Sequence, residues 1–91
     1  AALIVSGEER EKAEAHGQAL ARVAEPPPGV SVLGPAEAPL ALIRGRWRFR
    51  LLVKTERGID VQSYLRDWLA RGPKPRGNLK VAIDVDPQSF L

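Results

Sequence analysis

Arg44-Gly45-Arg46-Trp47-Arg48-Phe49-Arg50-Leu51-Leu52-Val53-Lys54 is the stretch that decides how this chain reads. Trp47, Phe49, Leu51 and Val53 alternate with Arg46, Arg48, Arg50, Leu52 and Lys54. A period of two is the mark of a half-buried strand, with a core face and a charged face. Arg44, Arg46, Arg48 and Arg50 share one parity, so extended backbone sets them on one side about 7 Å apart. Successive phosphates of a nucleic-acid strand have a comparable spacing, and a guanidinium can pair with phosphate oxygens bidentately. Charges on a strand can also serve to block unwanted pairing, but lysine commonly does that and four arginines exceed the need. The aromatic rings have core parity, so the cationic face offers no platform for stacking bases. The stretch therefore predicts a grip on nucleic-acid backbone, and no chemistry.

Working outward, Ala1–Val5 is a short apolar run that suits a buried strand. Ser6-Gly7-Glu8-Glu9 fits a capping box, and a helix is expected over Glu8–Ala24, with Ala13, His16 or Gly17, Leu20, and Val23 or Ala24 at helical spacing. Pro26-Pro27-Pro28-Gly29 ends it. Val30–Leu33 is a second strand closed by Gly34-Pro35, and residues 36–43 read as a loop around Pro39. After the arginine strand, Val61, Leu65, Trp68 and Leu69 form one apolar helical stripe stopped by Gly72-Pro73. A basic loop with Lys74 and Arg76 leads to a last strand, Leu79–Val85, in which Leu79, Val81, Ile83 and Val85 should face the core while Lys80, Ala82 and Asp84 face out. The order β-α-β-β-α-β predicts an α+β fold: the split βαβ two-layer sandwich, a four-stranded, mainly antiparallel sheet with two helices on one face. Arg46, Arg48, Arg50, Lys54 and Lys80 would then share the open face with Leu52 and Ala82.

Ninety-one residues with 44% apolar content make one domain, 1–91. The chain begins inside its first strand at Ala1 and has no methionine, which reads as a piece cut from a longer protein, while Phe90-Leu91 reads as a natural end. With no cysteine there is neither a disulfide nor a thiolate metal site. No run is long and apolar enough for a bilayer, and no leader is visible, so a soluble cytoplasmic protein is expected. The net charge of +3 is uneven: residues 1–43 carry three basic and six acidic side chains, residues 44–80 eleven and three, and residues 81–91 two acidic ones. That local excess points to a polyanionic partner.

Candidate chemistry is thin. Asp84 and Asp86 lie two apart, but two carboxylates without further oxygen ligands or a histidine are better read as the end of a strand. His16 stands mid-helix among alanines and reads as a surface or boundary residue. No nucleotide-binding glycine loop or serine elbow occurs, so no catalytic residue, metal or cofactor is assigned to this chain. A regulatory small-molecule domain would need a glycine-rich ligand turn, which is missing.

Three ordered stretches add a resemblance. Val32-Leu33-Gly34-Pro35-Ala36-Glu37-Ala38-Pro39-Leu40, then Arg44–Lys54, then Ala82-Ile83-Asp84-Val85-Asp86-Pro87-Gln88-Ser89-Phe90-Leu91 resemble, in order and spacing, the C-terminal domain of primosomal protein N′, the bacterial replication-restart DNA helicase. The resemblance implies a parent that is an ATP-dependent 3′-to-5′ helicase, with ATP/Mg and zinc sites outside this chain and nucleoid association. It implies a fold similar to a small-subunit ribosomal protein and a part in binding forks, D-loops and single strands. It also implies contact with primosome proteins and with the acidic tail of single-stranded DNA-binding protein, near the start of the second helix. There Gln62 matches a family glutamine, and the neighbouring basic position falls on Gly58, with Arg57 adjacent. The expected DNA contacts are Arg44, Arg46, Arg48, Arg50, Lys54, Lys74, Arg76 and Lys80; the expected partner contacts are Arg57 and Gln62. The alternative is a protein-docking module whose basic face receives an acidic tail. No membrane or small-molecule substrate is implied.

Overall fold

The computed structural model describes residues 1–84. In chain order the elements are β1 (Ala2–Gly7), α1 (Arg10–Arg22), β2 (Val30–Ile43), β3 (Arg46–Thr55), α2 (Val61–Arg71) and β4 (Lys80–Asp84). The strands form one sheet in the order β2-β3-β1-β4, and every neighbouring pair is antiparallel. Each βαβ unit thus skips one strand, which is the predicted split arrangement.

Strand alternation fixes what the helices cover. Leu3 and Val5 of β1 and Phe49, Leu51 and Val53 of β3 are buried on one face, where Leu20 of α1 and Leu65 and Trp68 of α2 meet them. The two helices are joined at one end by side chains reaching spent carbonyls. Trp68 Nε1 donates to the Leu20 carbonyl at 2.8 Å and Tyr64 Oη to the Ala24 carbonyl at 2.6 Å. Arg71 Nη2 adds donations to the carbonyls of Val23 and Ala24 at 3.0 and 2.9 Å. These carbonyls lie at and just beyond the end of α1, where i+4 amide partners run out; that of Leu20 also accepts from the Val23 amide at 3.1 Å. Burial pushes the Tyr64 phenol above its ordinary range.

Several expectations need correction. The capping box does not form: Ser6 ends up in β1, Glu9 is the N-cap with no side-chain cap bond, and its carboxylate pairs with Lys12 instead. The Glu8 amide is satisfied from far away, by Asn78 Oδ1 at 2.9 Å. Residues 36–43 are no free loop; they continue β2, whose pairing with β3 shifts register between Leu33 and Ala36 and again between Glu37 and Leu42. Pro35 and Pro39 are tolerated because β2 is an edge strand. Gly34 turns the first irregularity with φ +114°, and a Cβ there would lie 2.6 Å from the Arg50 carbonyl oxygen, so only glycine fits. His16 is buried, not superficial. Ile83, expected in the core, is 44% exposed, because α2 stands away from β4 and leaves a groove there. Val85 and Asp86 lie outside the described residues.

Candidate nucleic-acid interface

The register places the cations. Ser6 of β1 pairs with Arg48 of β3 on one side and Lys80 of β4 on the other, so the three form a row across the open face. Ile4 lies between Arg50 and Ala82 in the next row, and Ala2 between Leu52 and Asp84 in the third. Neighbouring strands are about 4.8 Å apart, so Arg48 and Lys80 stand about 10 Å apart at their backbones. Arg48, Lys54 and Lys80 have no ion-pair partner among the described residues. Positive charge therefore gathers at the end of the sheet bearing Arg48 and Lys80, not evenly along β3; Leu33, Leu52 and Ile4 make the middle of that face apolar.

Two of the expected four arginines leave the row. Arg44 and Gly45 form a two-residue turn between Ile43 and Arg46, with φ +52° and +77°. Positive φ at both positions matches the right-handed twist of a hairpin, and the dipeptide carries its glycine second. Arg44 is exposed at the tip and does not share the strand face. Arg46 faces the right way but is already engaged. Its Nη2 donates to the Ser6 carbonyl at 3.1 Å, to Ser6 Oγ at 3.1 Å and to the Asn78 carbonyl at 2.6 Å. It ties β3 across β1 to the loop before β4. Lys74 is engaged as well, donating from Nζ to the Leu69 carbonyl at 2.9 Å near the end of α2. Arg76 is exposed on the same loop. Arg48 and Arg50 remain on the face, half-buried along their stems.

On the helix-covered side, Trp47 is only half-buried because a cation finishes its cover. The Arg10 guanidinium lies 6.0 Å from the Trp47 ring centre and 5.6 Å from that of Phe49. It donates from Nε and Nη2 to Glu37 Oε1 at 3.1 and 2.6 Å, which holds Arg10 still more firmly in its charged form.

The start of α2 is built separately. Asp60 caps it, accepting from the Ser63 amide at 3.1 Å and the Ser63 hydroxyl at 2.7 Å, and these bonds lower the carboxyl below its ordinary range. Behind this cap, Gln62, Leu65, Arg66 and Leu69 of α2 and Ile83 of β4 line a groove of about 420 Å³. Gln62 is thus on a concavity, but Arg57 is not among its lining residues; the basic residue beside Gln62 there is Arg66. Helical spacing carried that signal, since Gln62 and Arg66 are four apart. Asn78, which holds both the start of α1 and Arg46, had no signature of its own. Among the described residues no group of three or more histidines or carboxylates could hold a metal, and no helix is long and apolar enough to cross a membrane.

Residues 1–88 match the family described as Primosomal protein N C-terminal domain. The chain belongs to that family. It is 33% identical over 90 residues to the replication restart protein PriA of Rickettsia felis and 32% identical over the same length to that of Rickettsia typhi, covering 99% of this chain in both cases. The PriA protein of Haemophilus influenzae is 29% identical over 62 residues, 68% of the chain. This primosomal C-terminal domain spans 14% of the length of the Rickettsia relatives. The small α+β architecture described above is accordingly that of a primosomal C-terminal domain.

Proposed function

We propose that this chain is a non-catalytic DNA-binding part of a longer ATP-dependent replication-restart helicase, holding branched or single-stranded DNA by its backbone at stalled forks. The observation that carries the reading is the Arg48–Ser6–Lys80 row, where two cations without acidic partners among the described residues flank a hydroxyl on an open sheet face. Arg50 and Arg76 extend the positive field around it, Arg44 adds a cation at the hairpin tip, and Lys54 lies apart at the other end of β3. A flat, cationic face without aromatic rings suits phosphates better than bases. Each phosphate neutralised on a single strand steepens the salt dependence of binding by about 0.7 in the logarithmic slope. A salt titration of single-stranded and forked DNA with the wild type and an Arg48→Ala/Lys80→Ala variant should lower that slope by about 1.4. Salt-independent binding, or an unchanged slope in the variant, overturns the reading.

A second reading has its own observation. The groove beside Gln62 has apolar walls from Leu65, Leu69 and Ile83 and a cation, Arg66, at its side. That combination suits an apolar side chain followed by a carboxylate, as in the acidic tail of single-stranded DNA-binding protein. An acidic peptide ending in Asp-Phe should bind the wild type and lose affinity in Arg66→Ala and Leu69→Asp. Binding unaffected by either substitution rejects the groove as its seat.

A further inference from the structure

A second cleft lies on the other layer of the domain, away from the sheet face. Lys12, His16 and Ala19 of α1 face Pro73, Arg76 and Leu79 of the loop before β4 across about 440 Å³. Its floor is almost wholly apolar, while Lys12 and Arg76 put positive charge on its margin. Lys12 pairs with Glu9 at 2.8 Å, but both side chains are mostly exposed, and such a pair opens at little cost. His16 is nine-tenths buried in the wall, and its Nε2 has no hydrogen-bond partner among the described residues. The far wall is fixed in place. Asn78 is bonded to Glu8 and Arg46, the Leu79 amide donates to the Arg76 carbonyl at 3.1 Å, and Lys74 anchors the loop to α2. A cleft held open in this way loses little freedom when it is filled.

We infer that this cleft receives one unstacked nucleobase of a single-stranded nucleic acid, with the flanking phosphates on Lys12 and Arg76. The inference rests on the DNA-binding reading above and adds to it a place for a base, which the sheet face lacks. Flat apolar walls of proline, alanine and an uncharged imidazole suit a ring of any sequence, as stacking sites for single strands generally do. The cations at the rim favour a polyanion over an aromatic side chain of a protein. The route is short: Lys80, at the edge of the sheet face, follows Leu79 directly, so one strand can run from Arg48 and Lys80 round the loop to Arg76.

The test compares two oligonucleotides of equal length and charge, one of thymidines and one of abasic tetrahydrofuran units, by fluorescence anisotropy with the 91-residue chain. The thymidine strand should bind about five- to tenfold tighter. Ala15→Leu/Ala19→Leu, which fills the cleft from an exposed and a half-buried helix position, should bring the two affinities together without lowering the melting temperature. The His16 ring resonances of the wild type should move with the thymidine strand and not with the abasic one. Equal affinities in the wild type, or a preference that survives the filled cleft, overturns the base site and leaves the backbone grip standing. Failure of both strands to bind overturns both.

Discussion

Arg46 was expected to hold DNA, and the structure gives it a different task that can be measured. Replacing it with alanine removes a guanidinium whose Nη2 reaches three oxygens, two on Ser6 and one on Asn78. That nitrogen carries two hydrogens, so only two strong bonds are present at once. Hydrogen bonds to a charged donor contribute about 1.5–3 kcal/mol each in favourable settings, and the half-exposed site places them at or below the lower end. The loss should be about 2 kcal/mol, since the Asn78 carbonyl can turn to water while the Ser6 pair is half-covered. For a domain of this size that lowers the melting temperature by about 8–16 °C. Arg48→Ala, whose side chain bonds to nothing among the described residues, should change stability by about 0.5 kcal/mol or less. Urea melts followed by tryptophan fluorescence give the stabilities, and anisotropy with single-stranded DNA at several salt concentrations gives the slopes, measured where both variants are folded. Arg46→Ala should be the less stable variant and Arg48→Ala the one with the shallower slope. If Arg46→Ala melts with the wild type and alone loses the salt-dependent binding, the assignment of Arg46 as a structural tie is wrong.

Other outcomes follow from the same geometry. Trp68→Ala empties the largest fully buried side chain and removes the Nε1 bond to Leu20, so urea denaturation should show a loss of about 3–5 kcal/mol. Gly34→Ala forces a Cβ against the Arg50 carbonyl at a φ of +114°; a loss of about 2 kcal/mol or more is expected, and amide exchange should rise first around the β2–β3 register shift. Burial lowers the His16 pKa from its ordinary 6.5, so the unfolded chain binds the proton more readily than the folded one. The stability that the neutral imidazole contributes is present above the ordinary pKa of 6.5 and is lost as the pH falls from there through the lowered folded pKa, and His16→Leu should flatten that segment of a pH series of thermal melts.

Much of this domain was legible in its sequence, because the strongest signals are local. Alternation through Trp47–Val53 set the two faces of β3, and the stripe Val61-Leu65-Trp68-Leu69 set the buried side of α2; both depend only on backbone period. The edge strand was harder. Pro35 and Pro39 argue against a strand locally, and only pairing with β3 supplies the bonds that carry β2 through to Ile43. The capping box failed for a related reason: Ser6 satisfied the local rule, but sheet pairing drew it into β1 and Arg46 took its hydroxyl.

The sequence by itself determined that arginines and apolar residues would sit on opposite sides of one strand, since side-chain direction in extended backbone follows from parity alone. Which arginines are available was a tertiary matter. Pairing across β1 set Arg48 opposite Lys80, the hairpin turn carried Arg44 out of the row, and the loop before β4 brought the Asn78 carbonyl to Arg46. The turn is local and its Arg-Gly pair could have signalled it, but the pairing across β1 and the Asn78 contact join residues far apart in the chain, and a local period holds no information about them.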